Sequence, residues 1–126
     1  RTDVEGRLGT ATLRLFENEP APWQLAAYQG GGVAWRPVLT EKALCWRRYT
    51  IDLALTREGA SLSDEMLRAL DEFEQVVTDS TGTVDFMMRE GELLFSDNTR
   101  TIHARTPLAH PATSNRLMIR SWIRTS

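Results

Sequence analysis

Thr83-Val84-Asp85-Phe86-Met87-Met88, Glu90-Gly91-Glu92 and Leu93-Leu94-Phe95 read in that order as a short strand, a turn and a second short apolar strand, that is, a hairpin. Further on, Arg116 to Arg124 alternates cleanly. Arg116, Met118, Arg120, Trp122 and Arg124 share one face, and Leu117, Ile119 and Ile123 share the other. A repeat of like charge along one face of a strand costs energy unless anions or acids meet it, so this arginine ladder asks for a ligand.

Working back from the hairpin, Leu62, Met66, Leu67, Leu70, Phe73 and Val77 fall at helical spacing behind a capping pattern of Ser61 and Asp64, which predicts a helix over 61–77. Its Asp71, Glu72 and Glu74 are expected to form a solvated face. Cys45 to Leu55 alternates as a half-buried strand. Arg7 to Phe16 has β character and is expected to end at Glu19-Pro20-Ala21-Pro22, where the prolines cannot continue a ladder. Gly30-Gly31-Gly32 lacks the flanking strand, helix and lysine of a phosphate loop and reads as a flexible turn. About five strands with one inserted helix give a mainly β architecture of the α+β kind.

The 126 residues suit one compact domain, and 41% hydrophobic with 25% charged residues is a globular balance that excludes a disordered tail, a fibre or a disulfide miniprotein. No apolar stretch approaches the about 20 residues of a membrane helix. Cys45 is the sole cysteine, which rules out an internal disulfide and makes a reducing cytoplasm the default compartment. A net charge of −2 argues against a nucleic-acid partner. The charge is unevenly placed: residues 58–92 hold ten acids against Arg68 and Arg89, and residues 93–126 hold five arginines against Asp97 alone.

The two histidines, His103 and His110, are not followed two positions later by an acid, and no HxxxH, HExxH, CxxC or GxSxG occurs. Zinc, protease and serine-hydrolase readings therefore find no motif. The informative stretch runs from Gly91 through Asp97-Asn98 and His103-Ala104-Arg105 to Pro107, followed by Asn115-Arg116-Leu117-Met118-Ile119-Arg120.

This stretch resembles the C-terminal motif of iron(II)- and 2-oxoglutarate-dependent oxygenases of the taurine dioxygenase and clavaminate synthase type. The resemblance implies part of a double-stranded β-helix, or jelly roll, with one inserted helix. It implies that His103 is the distal iron ligand, that Arg116, thirteen residues on, pairs with the far carboxylate of 2-oxoglutarate, and that Arg120 holds an acidic group of the substrate. The chemistry agrees with these roles. Non-haem iron centres use two imidazoles and one carboxylate and leave the opposite face open. The histidine needs a hydrogen-bonding neighbour to fix its ring, and Asp97 or Asn98 is the expected candidate. A distal carboxylate is best met by a planar bidentate guanidinium. Arg100, Arg105, Arg124 and His110 are read as ordinary polar residues.

The similarity is specific over 83–124, looser over 36–82, where Arg36-Pro37-Val38-Leu39 and the Tyr49–Leu55 run match the family's inserted region, and weak before that. The proximal His-x-Asp or His-x-Glu that the family requires is absent from these 126 residues. The expectation is that residues 1–126 form one domain, the C-terminal portion of a larger oxygenase domain. A missing N-terminal segment or a second chain would supply the proximal ligands, and a small carboxylate or amino-acid-like substrate and O2 would be the small-molecule partners. The alternative expectation is an iron-free jelly-roll domain that binds small anions or serves as a scaffold.

Overall fold

The computed structural model describes residues 6–79 and 83–104, together with 117, 119, 121 and 123. In chain order its elements are α1 (Thr10–Asn18), β1 (Pro20–Gln24), a 3-10 turn (Ala27–Gln29), β2 (Val33–Pro37), α2 (Arg48–Arg57) and α3 (Asp64–Thr78). The expected architecture is mainly β with one inserted helix; the described residues instead hold three helices and one two-stranded antiparallel sheet, so helix and strand are both present but helix predominates there.

The predicted helix forms almost where its periodicity places it. Its cap is Ser63 rather than Ser61: the Ser63 Oγ accepts from the Met66 backbone N–H at 3.1 Å, which satisfies one of the free amides of the first turn. Asp64 and Glu65 follow in that turn, where negative charge meets the positive end of the helix dipole. Met66, Ala69, Leu70 and Phe73 are buried on one stripe. The acidic face is only partly solvated. Asp71 pairs with Arg48 Nη1 at 2.8 Å, and half-buried Glu72 accepts from Thr12 Oγ1 at 2.5 Å.

Two stretches expected as strands are helices. In 7–16, Leu8, Thr12 and Phe16 are buried. That spacing of four residues is helical, and the cover is α3: the Phe16 and Phe73 rings meet edge to face at 5.7 Å. In 45–55, Ile51 and Ala54 are buried, and Trp46 packs edge to face on Phe73 at 4.2 Å. Arg48 binds Asp52 one turn on, at 2.8 Å, as well as Asp71 of α3. Alternation and helical spacing share many positions in short segments, and the surface available to cover them decides between the two.

The prolines also behave differently from expectation, because Pro20 and Pro22 lie inside β1, opposite Pro37 and Trp35. A two-stranded ribbon needs ladder bonds on one edge of each strand only. Prolines two apart sit on the same edge, so neither costs a ladder bond. The strand is held further by the Trp23 Nε1–H donated to the Arg36 carbonyl at 3.0 Å and by the Arg36 guanidinium over the Trp23 ring. Between the strands, Gly30, Gly31 and Gly32 all have positive φ, at 96°, 68° and 74°. This is the expected turn, in a conformation that side chains disfavour.

The core runs from Leu8 to Phe73, with Ile102 packed against it. After α3 the expected hairpin is present only as its turn. Glu92 N–H donates to the Arg89 carbonyl at 3.2 Å, the Arg89 N–H is received by Glu92 Oε2 at 2.7 Å, and Gly91 takes φ 81°. The flanks 83–88 and 93–95 form no ladder. An isolated hairpin without a third strand is marginal, and among the described residues no third strand joins these flanks. The arginine face of the 116–124 run lies outside the described residues.

Candidate functional site

The segment leading to His103 is a tight polar turn built on Asp97. The Asp97 Oδ1 accepts from the Thr99 backbone N–H at 2.9 Å and from the Thr99 hydroxyl at 2.6 Å. The Asp97 carbonyl accepts from the Arg100 and Thr101 N–H groups at 3.1 and 3.0 Å and from the Thr101 hydroxyl at 2.7 Å. Aspartate followed two residues later by threonine favours such a turn, because the short carboxylate replaces a backbone acceptor. The Thr99 hydroxyl and backbone donors, aided by Arg100, hold the Asp97 carboxyl below the ordinary carboxylate range.

Two ties fasten this turn to the core. The Leu44 N–H donates to the Thr99 carbonyl at 3.1 Å, and Ile102 packs on the core cluster. The backbone at 99–102 is therefore fixed from below, and His103 follows immediately with its side chain exposed.

Of the two neighbours expected to orient His103, Asp97 directs Oδ1 to Thr99. Asn98 carries a buried Oδ1 that has no hydrogen-bond donor. No hydrogen bond joins either residue to His103 among the described residues. Arg116 and Arg120 lie outside those residues, so their approach to His103 is not described. Sequence reasoning missed Thr99, Leu44 and Ile102, which position the turn. The Asp-x-Thr spacing was a usable signal for Thr99. The other two are long-range contacts with no local signature.

Among the described residues no three His, Cys, Asp or Glu side chains gather into a cluster able to hold a metal ion. His103 is one donor of the three that a two-histidine, one-carboxylate centre requires, so these residues alone do not fit an iron ion. A groove of about 270 Å³ between α1 and α3, lined by Thr12, Leu15, Glu65, Arg68 and Glu72 among others, contains none of the expected site residues. No described helix is long and apolar enough to cross a membrane.

Comparison with known proteins adds one match. The family model described as taurine catabolism dioxygenase TauD, TfdA family covers residues 11–122, a span that includes His103, Arg116 and Arg120. No curated protein and no solved structure matches the chain.

Proposed function

The chain belongs to the taurine catabolism dioxygenase TauD, TfdA family, and from that premise we propose that it is the C-terminal portion of an iron(II)- and 2-oxoglutarate-dependent oxygenase. In this reading residues 1–126 form part of a jelly-roll domain. They contribute His103 to the metal site, Arg116 to 2-oxoglutarate and Arg120 to an acidic group of a small carboxylate or amino-acid-like substrate. The observation that carries the reading is the family match over a span that holds all three residues at the spacing of the motif.

Iron with 2-oxoglutarate supplies O2-dependent oxidation of a C–H bond, coupled to oxidative decarboxylation of the 2-oxoglutarate. The chain's own share is to bind and orient. The fixed turn at 97–102 restricts where the imidazole of His103 can lie. A guanidinium at Arg116 meets a carboxylate with two parallel N–H donors, which sets both the position and the orientation of the diacid. Alternate strand positions share a face, so residues 116 and 120 can bind two anionic groups side by side. The second imidazole and the carboxylate come from a segment outside these 126 residues that bears His-x-Asp or His-x-Glu.

The test is to combine this chain with the segment that bears that motif and to measure succinate release from 2-oxoglutarate with added iron(II). Arg116→Ala is expected to raise the KM for 2-oxoglutarate by about 10- to 100-fold, the equivalent of losing a charge-assisted pair of about 1.5–3 kcal/mol. Arg120→Ala is expected to raise the KM for the substrate and leave that for 2-oxoglutarate in place. Anion binding without succinate release, unaffected by iron, would instead favour the scaffold or anion-binding alternative.

A further inference from the structure

The groove between α1 and α3 has a volume of about 270 Å³. Alanine at 11 and 69 opens it, because longer side chains at facing positions would fill the space between the two helices. Ala11, Leu15 and the buried Ala69 give it an apolar lining. Its polar groups are Thr12 of α1 and Glu65, Arg68 and Glu72, which share one face of α3.

Glu72 is held in place from across the groove. Its Oε2 accepts from the Thr12 hydroxyl at 2.5 Å and its Oε1 from the Gly9 N–H at 3.5 Å. Both donors are neutral, so they fix the carboxylate without neutralising it. Arg68 stands three residues after Glu65 and four before Glu72, spacings at which side chains on a helix can meet. Among the described residues, however, Arg68 forms no ion pair with either acid. The ion pairs there are those of Arg48 with Asp52 and Asp71 and of Arg7 with Asp79.

A fixed anion and a separate cation therefore border one small apolar space. An anionic ligand would meet Arg68 but would also face Glu65 and Glu72, and a cationic ligand would meet the acids but face Arg68. A ligand that carries both charges satisfies both. The guanidinium takes a carboxylate with two parallel N–H donors, and the fixed carboxylate takes an ammonium. Apolar lining with a few convergent polar groups is the ordinary make-up of a small-molecule site.

We propose that this groove binds a free α-amino acid with an apolar side chain, its carboxylate on Arg68, its ammonium on Glu72 and its side chain against Ala11, Leu15 and Ala69. Such a ligand touches both helices, so it ties α1 to α3 and stabilises the folded chain by mass action. None of His103, Arg116 and Arg120 lines the groove, so this site and the proposed oxygenase site stand or fall separately.

The test is to titrate L-leucine into the isotope-labelled chain without metal and to follow the amide resonances by NMR. Saturable shifts are expected at Thr12, Arg68 and Ala69, together with a Tm that rises with leucine concentration. 3-Methylbutylamine, which is leucine without its carboxylate, and 4-methylpentanoate, which is leucine without its ammonium, are each expected to bind at least about 10-fold more weakly. Arg68→Gln changes an exposed side chain, and Glu72→Gln keeps an acceptor for Thr12, so both should retain the helical circular dichroism of the parent. Each should weaken leucine binding by at least about 10-fold. Absence of saturable shifts overturns the proposal. Equal affinity for the amine makes this a plain cation site and equal affinity for the acid a plain anion site, and either result overturns it too. So does leucine binding that Arg68→Gln leaves unchanged.

Discussion

Residues 6–79 and the arm at residues 83–104 use similar proportions of apolar residues in opposite ways. In the first region three helices and a ribbon close around Phe16, Ile51, Met66, Leu70 and Phe73, all at most 1% exposed. In the second, Ile102 alone joins the core and the other large apolar side chains of the arm face outward. A segment packs on what its own chain can offer. The helical region finds complementary stripes within about seventy residues, whereas most large apolar side chains of the arm stay exposed.

The contrast predicts mutational effects of very different size. Phe73 touches both Phe16 and Trp46, so Phe73→Ala should cost about 3–5 kcal/mol in denaturant unfolding monitored by helical circular dichroism. In the chain alone, Phe86→Ala should fall within about 0.5 kcal/mol of the parent. Equal costs for the two would mean that the arm is packed after all.

Thr12→Val removes the donor to Glu72 across the α1–α3 contact and leaves a half-buried carboxylate short of a partner. A loss of about 1–2 kcal/mol is expected, measured in the same unfolding experiment. Arg48 links Asp52 and Asp71 in a half-exposed pair of bridges. Arg48→Gln should cost no more than about 1 kcal/mol, and the difference from the parent should shrink as salt is added.

The smallest effect belongs to the open region. Because the Asp97 carboxyl titrates below its ordinary range in the folded chain, its contribution to the turn is present above the unfolded carboxylate pKa and is lost as pH falls through the lower folded value. An NMR titration of the Asp97 carboxyl should show that low midpoint. Thr99→Val, which removes the hydroxyl donor, should raise it towards the ordinary value. An unmoved midpoint would assign the shift to another cause.

The helix at 64–78 was legible because its signal is local: a serine cap, acids in the first turn and apolar residues at i, i+3, i+4 and i+7. The glycine turn and the reversal at Glu90-Gly91 were legible for the same reason, since positive φ limits the choice of residue. The strand expectations at 7–16 and 45–55 failed because each alternation was short and could also be read at helical spacing. The two prolines in β1 misled because the rule excluding them applies to strands paired on both edges.

The candidate site divides in a similar way. The order and spacing of Asp97-Asn98, His103, Arg116 and Arg120 are properties of the chain itself, and they suffice to point to the family because a metal motif is defined by which donors occur at which intervals. Which side chain steadies the turn, and that Leu44 and Ile102 hold it down, came only from the folded molecule. Those contacts join positions more than fifty residues apart, or belong to packing that no local pattern encodes. Residue type and short-range period are written along the chain, while the choice between helix and strand for an ambiguous segment is made by the surface that finally covers it.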